Sequence, residues 1–162
     1  MASFAASSSS LTGTSHPKVV ELLAKLANGD KPSHIDLSNC GLQEIPAQIY
    51  DLGDAVEMLN LGGNQLSDLP DSIARLTKLR ILFFAQNNFR YIPRILGTLS
   101  SLYMLSFKSN HIETIHPEAL SPSVGWLILT DNHITELPAT IGNLKVSCIN
   151  ASTRGLSDMS PF

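Results

Sequence analysis

The sequence has no excess of positive charge and no long apolar run, and each shortage argues against a class of protein. Lys and Arg number 11 against 14 Asp and Glu, which gives a formal net charge of -3. A nucleic-acid-binding protein would be expected to carry a basic surface, so no nucleic-acid partner is expected. No apolar stretch approaches the ~20 residues that a transmembrane helix requires, so we expect no membrane association.

Cysteine is also scarce. Cys40 and Cys148 are the only two, too few for the disulfide-paired caps of a secreted protein built from repeats. We therefore expect a reducing compartment and a cytoplasmic protein. The first residues contain Ala and Ser but neither Lys nor Arg, which makes a poor signal or transit peptide. We expect 1–14 to be a disordered tail.

An internal repeat is what the chain has in quantity. Asn64, Asn87, Asn110 and Asn132 are spaced 23, 23 and 22 residues apart, and Cys40 lies 24 residues before the first of them. Around each of these residues, apolar side chains recur in the frame L-x-L-x-x-N-x-L-x-x-L, with Ile or Phe replacing some Leu. Such a period predicts stacked repeat units, because no single unit can bury its apolar face alone.

Each position of this frame has a structural use. The alternating apolar residues point one side of a short strand into a shared core, and stacked strands form a parallel ladder. An Asn amide both donates and accepts, so it can satisfy backbone groups buried where the chain leaves the strand. A proline that follows in most copies fixes φ as the chain turns back. We therefore interpret five residues as a structural ladder: Cys40, Asn64, Asn87, Asn110 and Asn132.

The frame resembles the leucine-rich repeat family, and its Leu-Pro-x-x-Ile variant resembles the intracellular type. The resemblance implies an α/β solenoid: a short horseshoe with a parallel concave sheet and convex 3-10, helical or loop segments. About five repeats are predicted over 31–145. The fourth copy has its proline one residue late, at Pro117, and another at Pro122, so we expect a more irregular convex segment there.

An amphipathic helix is predicted before the first repeat, over about 16–28 within a capping unit of 15–30. Ser15 is the expected N-cap and Gly29 the expected stop. A repeat array needs such a cap, although a partner-binding helix is the alternative. The spacing i, i+3, i+4, i+7 is set by four apolar residues: Val19, Leu22, Leu23 and Leu26.

At the other end, 146–162 is predicted to be an irregular tail outside the repeat. Counting on from Leu144, the next core positions fall on Ser147, Asn150 and Ser152, none of them apolar. We favour a truncated or misannotated longer array, whose poorly capped end could self-associate. The alternative is an improvised cap formed by the apolar residues of the tail: Val146, Ile149, Leu156, Met159 and Phe162.

Three stretches are similar to the repeat region that precedes the kinase domain in leucine-rich-repeat protein kinases. They are "LRILFFAQNNF" (79–89), "SFKSNHIETIHPEAL" (106–120) and "WLILTDNHITELPATIG" (126–142). The resemblance implies a signalling context, and the alternative function is a truncated regulatory segment of such a kinase. The sequence has none of the kinase motifs themselves, so kinase chemistry is not expected of this chain.

We find no catalytic constellation and predict no enzyme, no cofactor and no metal. His111 and His133 each follow a ladder Asn, so they should lie one strand apart, ~5 Å. Two such imidazoles could bind a metal ion, but Gln65 and Asn88 occupy the matching positions in the neighbouring repeats. Two solvated surface histidines are therefore the preferred interpretation.

The outward strand positions remain as a candidate site. Solvent-facing positions of a sheet are usually polar, but here many are apolar, as at interaction hot spots and adaptable binding grooves. We predict a non-catalytic module that binds an unidentified protein partner through the concave face; packing against itself or a missing domain is the alternative. The predicted contact residues are Met58, Ile81, Phe83, Met104, Trp126 and Ile128, with Lys108 and Asp36 setting orientation.

Overall fold

The structure, a computed structural model, describes residues 15–144 and 148–150. The predicted disordered tail of 1–14 and most of the predicted C-terminal tail lie outside these residues. One α-helix, α1 (Pro17–Ala27), precedes a single sheet of short strands. None of the described helices is long and apolar enough to cross a bilayer.

Six parallel strands of three residues each form the sheet, and they pair in chain order from β1 to β6. Every pair is in the same register, so each residue lies beside its counterpart one repeat away. The predicted solenoid with a parallel sheet is confirmed. The strands are β1 (His34–Asp36), β2 (Met58–Asn60), β3 (Ile81–Phe83), β4 (Met104–Ser106), β5 (Trp126–Ile128) and β6 (Cys148–Asn150).

The core lies behind the sheet and runs the length of the array. In each of the first five strands the middle residue is buried, as period-two alternation requires. Phe84, Phe89 and Phe107 form a cluster at its centre, with ring centroids 5.0 to 5.1 Å apart. Aromatic pairs at this spacing stabilise a core beyond the effect of area burial alone.

The four ladder asparagines are buried and bridge consecutive repeats. Asn64 Oδ1 accepts from the backbone N–H groups of Cys40 and Leu42, both at 3.0 Å. Its Nδ2 donates to the carbonyls of Leu37 and Leu61, at 2.9 and 2.8 Å. One side chain therefore satisfies four buried backbone groups, two of each polarity. Asn87, Asn110 and Asn132 bridge the later repeats in a similar way, each accepting from one backbone N–H of the preceding repeat and donating to the carbonyl groups of two repeats.

A left-handed residue precedes every ladder position, which the sequence did not lead us to expect. Its φ lies between 55° and 67° in all five copies. Gly63 adopts this conformation without steric cost, whereas a residue with a side chain pays for it, with Asn and Asp the best tolerated. The five left-handed residues are Asn39, Gly63, Gln86, Ser109 and Asp131.

On the convex side, 3-10 segments follow the prolines of the repeat, at Ala47–Ala55, Asp71–Arg75, Arg94–Thr98 and Ala139–Asn143. The fourth repeat has turns instead, around 117–118 and 122–123. This is the irregular segment predicted from the displaced proline. An ion pair between Arg94 and Glu118 links it to the preceding repeat.

Helix α1 covers the first repeat, with Val19 and Leu22 buried. The predicted N-cap is wrong: His16, not Ser15, caps the helix, and its Nδ1 accepts from the backbone N–H of Lys18 at 3.3 Å. Gly29 ends the helix as predicted, with φ at 88°. The backbone N–H of the following Asp30 bonds to the carbonyl of Lys25 at 3.1 Å, as in a Schellman motif.

A sixth strand lies inside the range predicted to be an irregular tail. Ile149 pairs with Leu127, one repeat of 22 residues earlier. The core positions predicted from the sequence were wrong because they were counted from Leu144 on the convex side. The position of the strand follows instead from the spacing of the earlier strands. The prediction that the repeat pattern ends at residue 145 is therefore wrong for 148–150. The rest of 146–162 lies outside the described residues.

Tyr50 is 5% exposed, and its hydroxyl has no hydrogen-bond partner among the described residues. Burial, and secondarily the nearby charge of Glu44, raises the pKa of this hydroxyl. Because a buried hydroxyl without a partner is destabilising, Tyr50→Phe should leave the free energy of unfolding unchanged or raise it by up to about 1 kcal/mol. Urea denaturation followed by circular dichroism measures this. A loss above about 1 kcal/mol would show that the hydroxyl is satisfied in solution.

Candidate functional site

The concave face consists of the outward side chains of β1 to β5 together with the residue two positions beyond each strand. Its rows are fixed by the strand register, which places Met58, Ile81, Met104 and Trp126 in one line across the sheet. Phe83 and Ile128 lie in the next line, on either side of Ser106. The backbone N–H and carbonyl groups here are hydrogen-bonded between neighbouring strands, so the side chains provide the chemistry of this face.

We call six residues the apolar patch: Met58, Ile81, Phe83, Met104, Trp126 and Ile128. Trp126 is 41% exposed, and the other five are half-buried. The strand register brings all of them together as neighbours. Apolar groups that are at least partly exposed on adjacent strands form a contiguous surface, which is more informative than apolar residues scattered singly. The patch occupies β2 to β5.

Tyr103 extends the patch, and the sequence analysis missed it. This residue directly precedes β4 and is 45% exposed. A Cβ on Gly125, the corresponding residue of the next repeat, would overlap the Tyr103 ring, so the absence of a side chain at Gly125 lets the ring lie there. The available signal was a tyrosine one repeat before a glycine, at the edge of two adjacent strands. It was missed because only alternating strand positions were considered.

Ser106 faces the same side but is only 5% exposed. The larger side chains of Phe83 and Ile128 on the adjacent strands leave it little access to solvent. The hydroxyl accepts a long hydrogen bond of 3.4 Å from the backbone N–H of Lys108. This polar side chain is therefore largely shielded from solvent at the centre of the face.

Asp36 lies at the opposite end of the face from Trp126, and its carboxylate already has partners within this protein. Its carboxylate accepts from the backbone N–H of Ser38 at 2.8 Å, and Lys18 of α1 lies 3.8 Å away. The hydrogen bond to Ser38, rather than the charge of Lys18, is the main reason why the pKa of Asp36 is lowered. Lys18 also donates to the Ser38 carbonyl at 3.1 Å. Lys108, by contrast, is exposed beside the patch.

His111 and His133 lie on adjacent repeats, as predicted, with parallel rings 5.7 Å apart between centroids. Both are exposed. Within 15–144 and 148–150, no cluster of three or more His, Cys, Asp or Glu side chains is arranged to hold a metal ion. The two imidazole rings therefore stack on each other at the protein surface.

The Leucine Rich Repeat family profile matches residues 55–76, the segment that contains β2 and its ladder residue Asn64. Its strand is one of six that align in the same register in the sheet. The chain is a leucine-rich repeat protein. The resemblance inferred from the repeat frame is thereby confirmed.

Two similar proteins are large and carry different names. An adenylate cyclase from Podospora anserina is 35% identical over 111 residues, covering 67% of this chain and 5% of that protein. A probable inactive serine/threonine-protein kinase, roco10, from Dictyostelium discoideum is 31% identical over 133 residues, covering 78% of this chain and 5% of its own length. This leucine-rich repeat chain thus corresponds to a small part of each.

Solved structures show the same architecture. A leucine-rich repeat protein from Leptospira interrogans superposes with a TM-score of 0.64 and 24% identity, over 81% of this chain and 39% of that chain. At this level of identity the likeness concerns the fold alone. The leucine-rich repeat fold supports a protein-interaction module, for which the concave face is the candidate surface.

Proposed function

We propose that this chain is a non-catalytic module that binds a partner protein through its concave face. The observation that carries the proposal is the apolar patch, with Trp126 and Tyr103 each more than 40% exposed at one end of it. Aromatic side chains that expose this much surface on an ordered sheet resemble the anchors of protein interfaces. The half-buried methionines add adaptable apolar contacts.

The proposed contact residues differ in what they can contribute. Trp126, Phe83 and Ile128 supply apolar surface near Lys108, while Met58, Ile81 and Met104 continue it toward the first repeats. Asp36 is bound to Ser38 and Lys18, so we assign it a weaker orienting role than the sequence indicated.

The absence of enzymatic activity is part of the proposal. One of the two similar proteins is named an adenylate cyclase and the other a probable inactive kinase, yet each matches this chain over only 5% of its length. A repeat segment shared between such different proteins supports a role in recognition rather than a shared reaction. Cys40, a free and buried thiol in the ladder, is consistent with the proposed reducing, cytoplasmic location.

A second candidate is a regulatory repeat segment of a larger signalling protein. Similarity to the kinase-named roco10 over 78% of this chain favours it. In that case the apolar patch would cover a neighbouring domain of the same polypeptide. Sequencing full-length transcripts would reveal additional domains in one reading frame; transcripts that encode this chain alone would contradict this candidate.

Trp126→Ala is expected to weaken partner binding by at least about 2 kcal/mol, about 30-fold in Kd, if the indole is an interface anchor. Stability should change little, because the side chain is 41% exposed. The measurement is titration calorimetry with a partner isolated by affinity purification on the wild-type chain, alongside thermal unfolding of both variants.

Tyr91→Ala provides the matched control, since Tyr91 is 43% exposed but lies away from the concave face, beside Asp68. Its removal should leave Kd unchanged. Equal Kd values for wild type and Trp126→Ala would refute the assignment of Trp126. A larger effect of Tyr91→Ala would place the binding site around Tyr91 and Asp68 instead.

A further inference from the structure

The charges on the concave face are distributed unevenly. At β1, Lys18 and Asp36 form an ion pair 3.8 Å long, so this end is electrically satisfied. Beyond β4, Lys108 is exposed, and none of the ion pairs within the described residues involves it. The chain as a whole has a net charge of -3. Lys108 therefore places a positive charge beside the apolar patch in a chain whose net charge is negative.

The backbone of Lys108 is held firmly. Its N–H donates to Ser106 Oγ, and its carbonyl accepts from the backbone N–H of Gln86 at 2.8 Å. The residues on either side bond to the next repeat: Phe107 N–H to the carbonyl of Ile128, and Ser109 N–H to that of Thr130, both at 2.9 Å. The ammonium group is thus tethered to an ordered sheet rather than to a mobile loop.

Desolvation makes this cation selective. A partner that buries the apolar patch would also remove water from part of Lys108. A charge taken out of water without a partner is costly, and a like charge placed opposite it is worse. A carboxylate offsets the cost by a charge-assisted hydrogen bond. The arrangement therefore favours acidic partners and disfavours basic ones, which is how interfaces acquire specificity.

The size of the patch limits what can occupy it. Adjacent strands lie about 4.8 Å apart, so Met58 and Trp126, on four consecutive strands, are separated by about 14 Å across the sheet. About ten helical residues, or four to five extended ones, span this distance. Ile128 lies next to Ser106 in the register, two residues before the level of Lys108. A partner carboxylate bound at Lys108 would therefore lie roughly 8 Å from an apolar side chain of the partner that contacts Ile128.

Accordingly, we propose that the partner element is a short peptide segment whose apolar side chains cover the patch and whose carboxylate pairs with Lys108. This inference rests on the proposed function, because it concerns the same face. It adds the chemical class of the partner and the residue that selects it.

The test uses a random dodecamer peptide library displayed on phage and selected on the full 162-residue chain. Enriched peptides should combine apolar residues with Asp or Glu. Synthesised individually, they should bind the Lys108→Glu variant at least 10-fold more weakly, and their affinity should fall with added salt. Lys31→Glu, the same charge change at an exposed site outside the face, should leave the affinity unaltered.

The outcomes separate this inference from the proposed function. Peptides weakened by Trp126→Ala but indifferent to Lys108→Glu, or enriched without acidic residues, would leave the concave face as the site and overturn the role of Lys108. No enrichment at all would overturn the inference of a short peptide segment, whereas peptides indifferent to both substitutions would contradict both proposals.

Discussion

Replacing Asn87 by alanine is expected to destabilise the fold by about 3–5 kcal/mol, the largest effect of any polar substitution considered. Its Oδ1 accepts from the backbone N–H of Leu66 at 2.9 Å, and its Nδ2 donates to the carbonyls of Leu61 and Phe84 at 2.9 and 3.1 Å. Alanine would leave the buried Leu66 N–H without a partner, at a cost of about 1–3 kcal/mol. The carbonyls of Leu61 and Phe84 would keep their bonds from Asn64 and Asn110 but lose one bond each, at about 0.5–1.5 kcal/mol per bond. Domains are typically stable by only ~5–15 kcal/mol, so the variant should be close to unfolding.

Asn88→Ala is the control for this experiment. Asn88 is the next residue, exposed, and the same chemical change there should alter stability by no more than about 0.5 kcal/mol. Urea denaturation monitored by circular dichroism compares the two. A loss below about 1 kcal/mol in Asn87→Ala would mean that water replaces the amide, and that the ladder contributes less than its hydrogen bonds indicate.

The first ladder position shows why cysteine is acceptable there. The N–H groups around Cys40 are satisfied by Asn64 of the following repeat. The Cys40 thiol makes only a weak contact of 3.5 Å with the Ser38 carbonyl, within its own repeat. In the later repeats the Asn Oδ1 accepts from the turn of the preceding repeat, and α1 rather than a repeat precedes Cys40. A small, weakly polar side chain is therefore sufficient.

Gly97→Ala is expected to cost about 3 kcal/mol, because the added methyl group has no room. A Cβ at this position would overlap the backbone carbonyl of Glu118 in the irregular segment of the fourth repeat. A backbone group cannot rotate away as a side chain can, so either the 3-10 segment Arg94–Thr98 or the turn at 117–118 would have to shift. Thermal and urea denaturation measure the loss.

Gly142→Ala is the matched control, at the corresponding position two repeats later. Ile141-Gly142 corresponds to Leu96-Gly97 in the repeat, but nothing lies within 4 Å of a Cβ at Gly142. Alanine there should leave stability unchanged or raise it by up to about 1 kcal/mol, since it restricts the unfolded chain. Similar losses in both variants would place the cost in the backbone conformation of the 3-10 segment, not in contact with Glu118.

The sequence by itself determined the architecture and the alignment of side chains across the concave face. Because Asn64, Asn87, Asn110 and Asn132 recur at nearly constant spacing, an in-register parallel stack is the one arrangement that buries every apolar position together. The lines that contain Met58 and Phe83 were predictable residue by residue for the same reason. The likeness of neighbouring repeats, rather than any single propensity, carried this information.

Only the tertiary structure decided the features that depend on which unlike segments meet. The Tyr103 ring can lie against Gly125 because glycine has no side chain to occupy that space. The pairing of Asp36 with Lys18 depends on how α1 packs, and the sixth strand on a register counted along the sheet. A periodic pattern specifies what is common to the repeats. Contacts between positions that break the pattern follow from side-chain size and three-dimensional proximity, which the repeat frame does not encode.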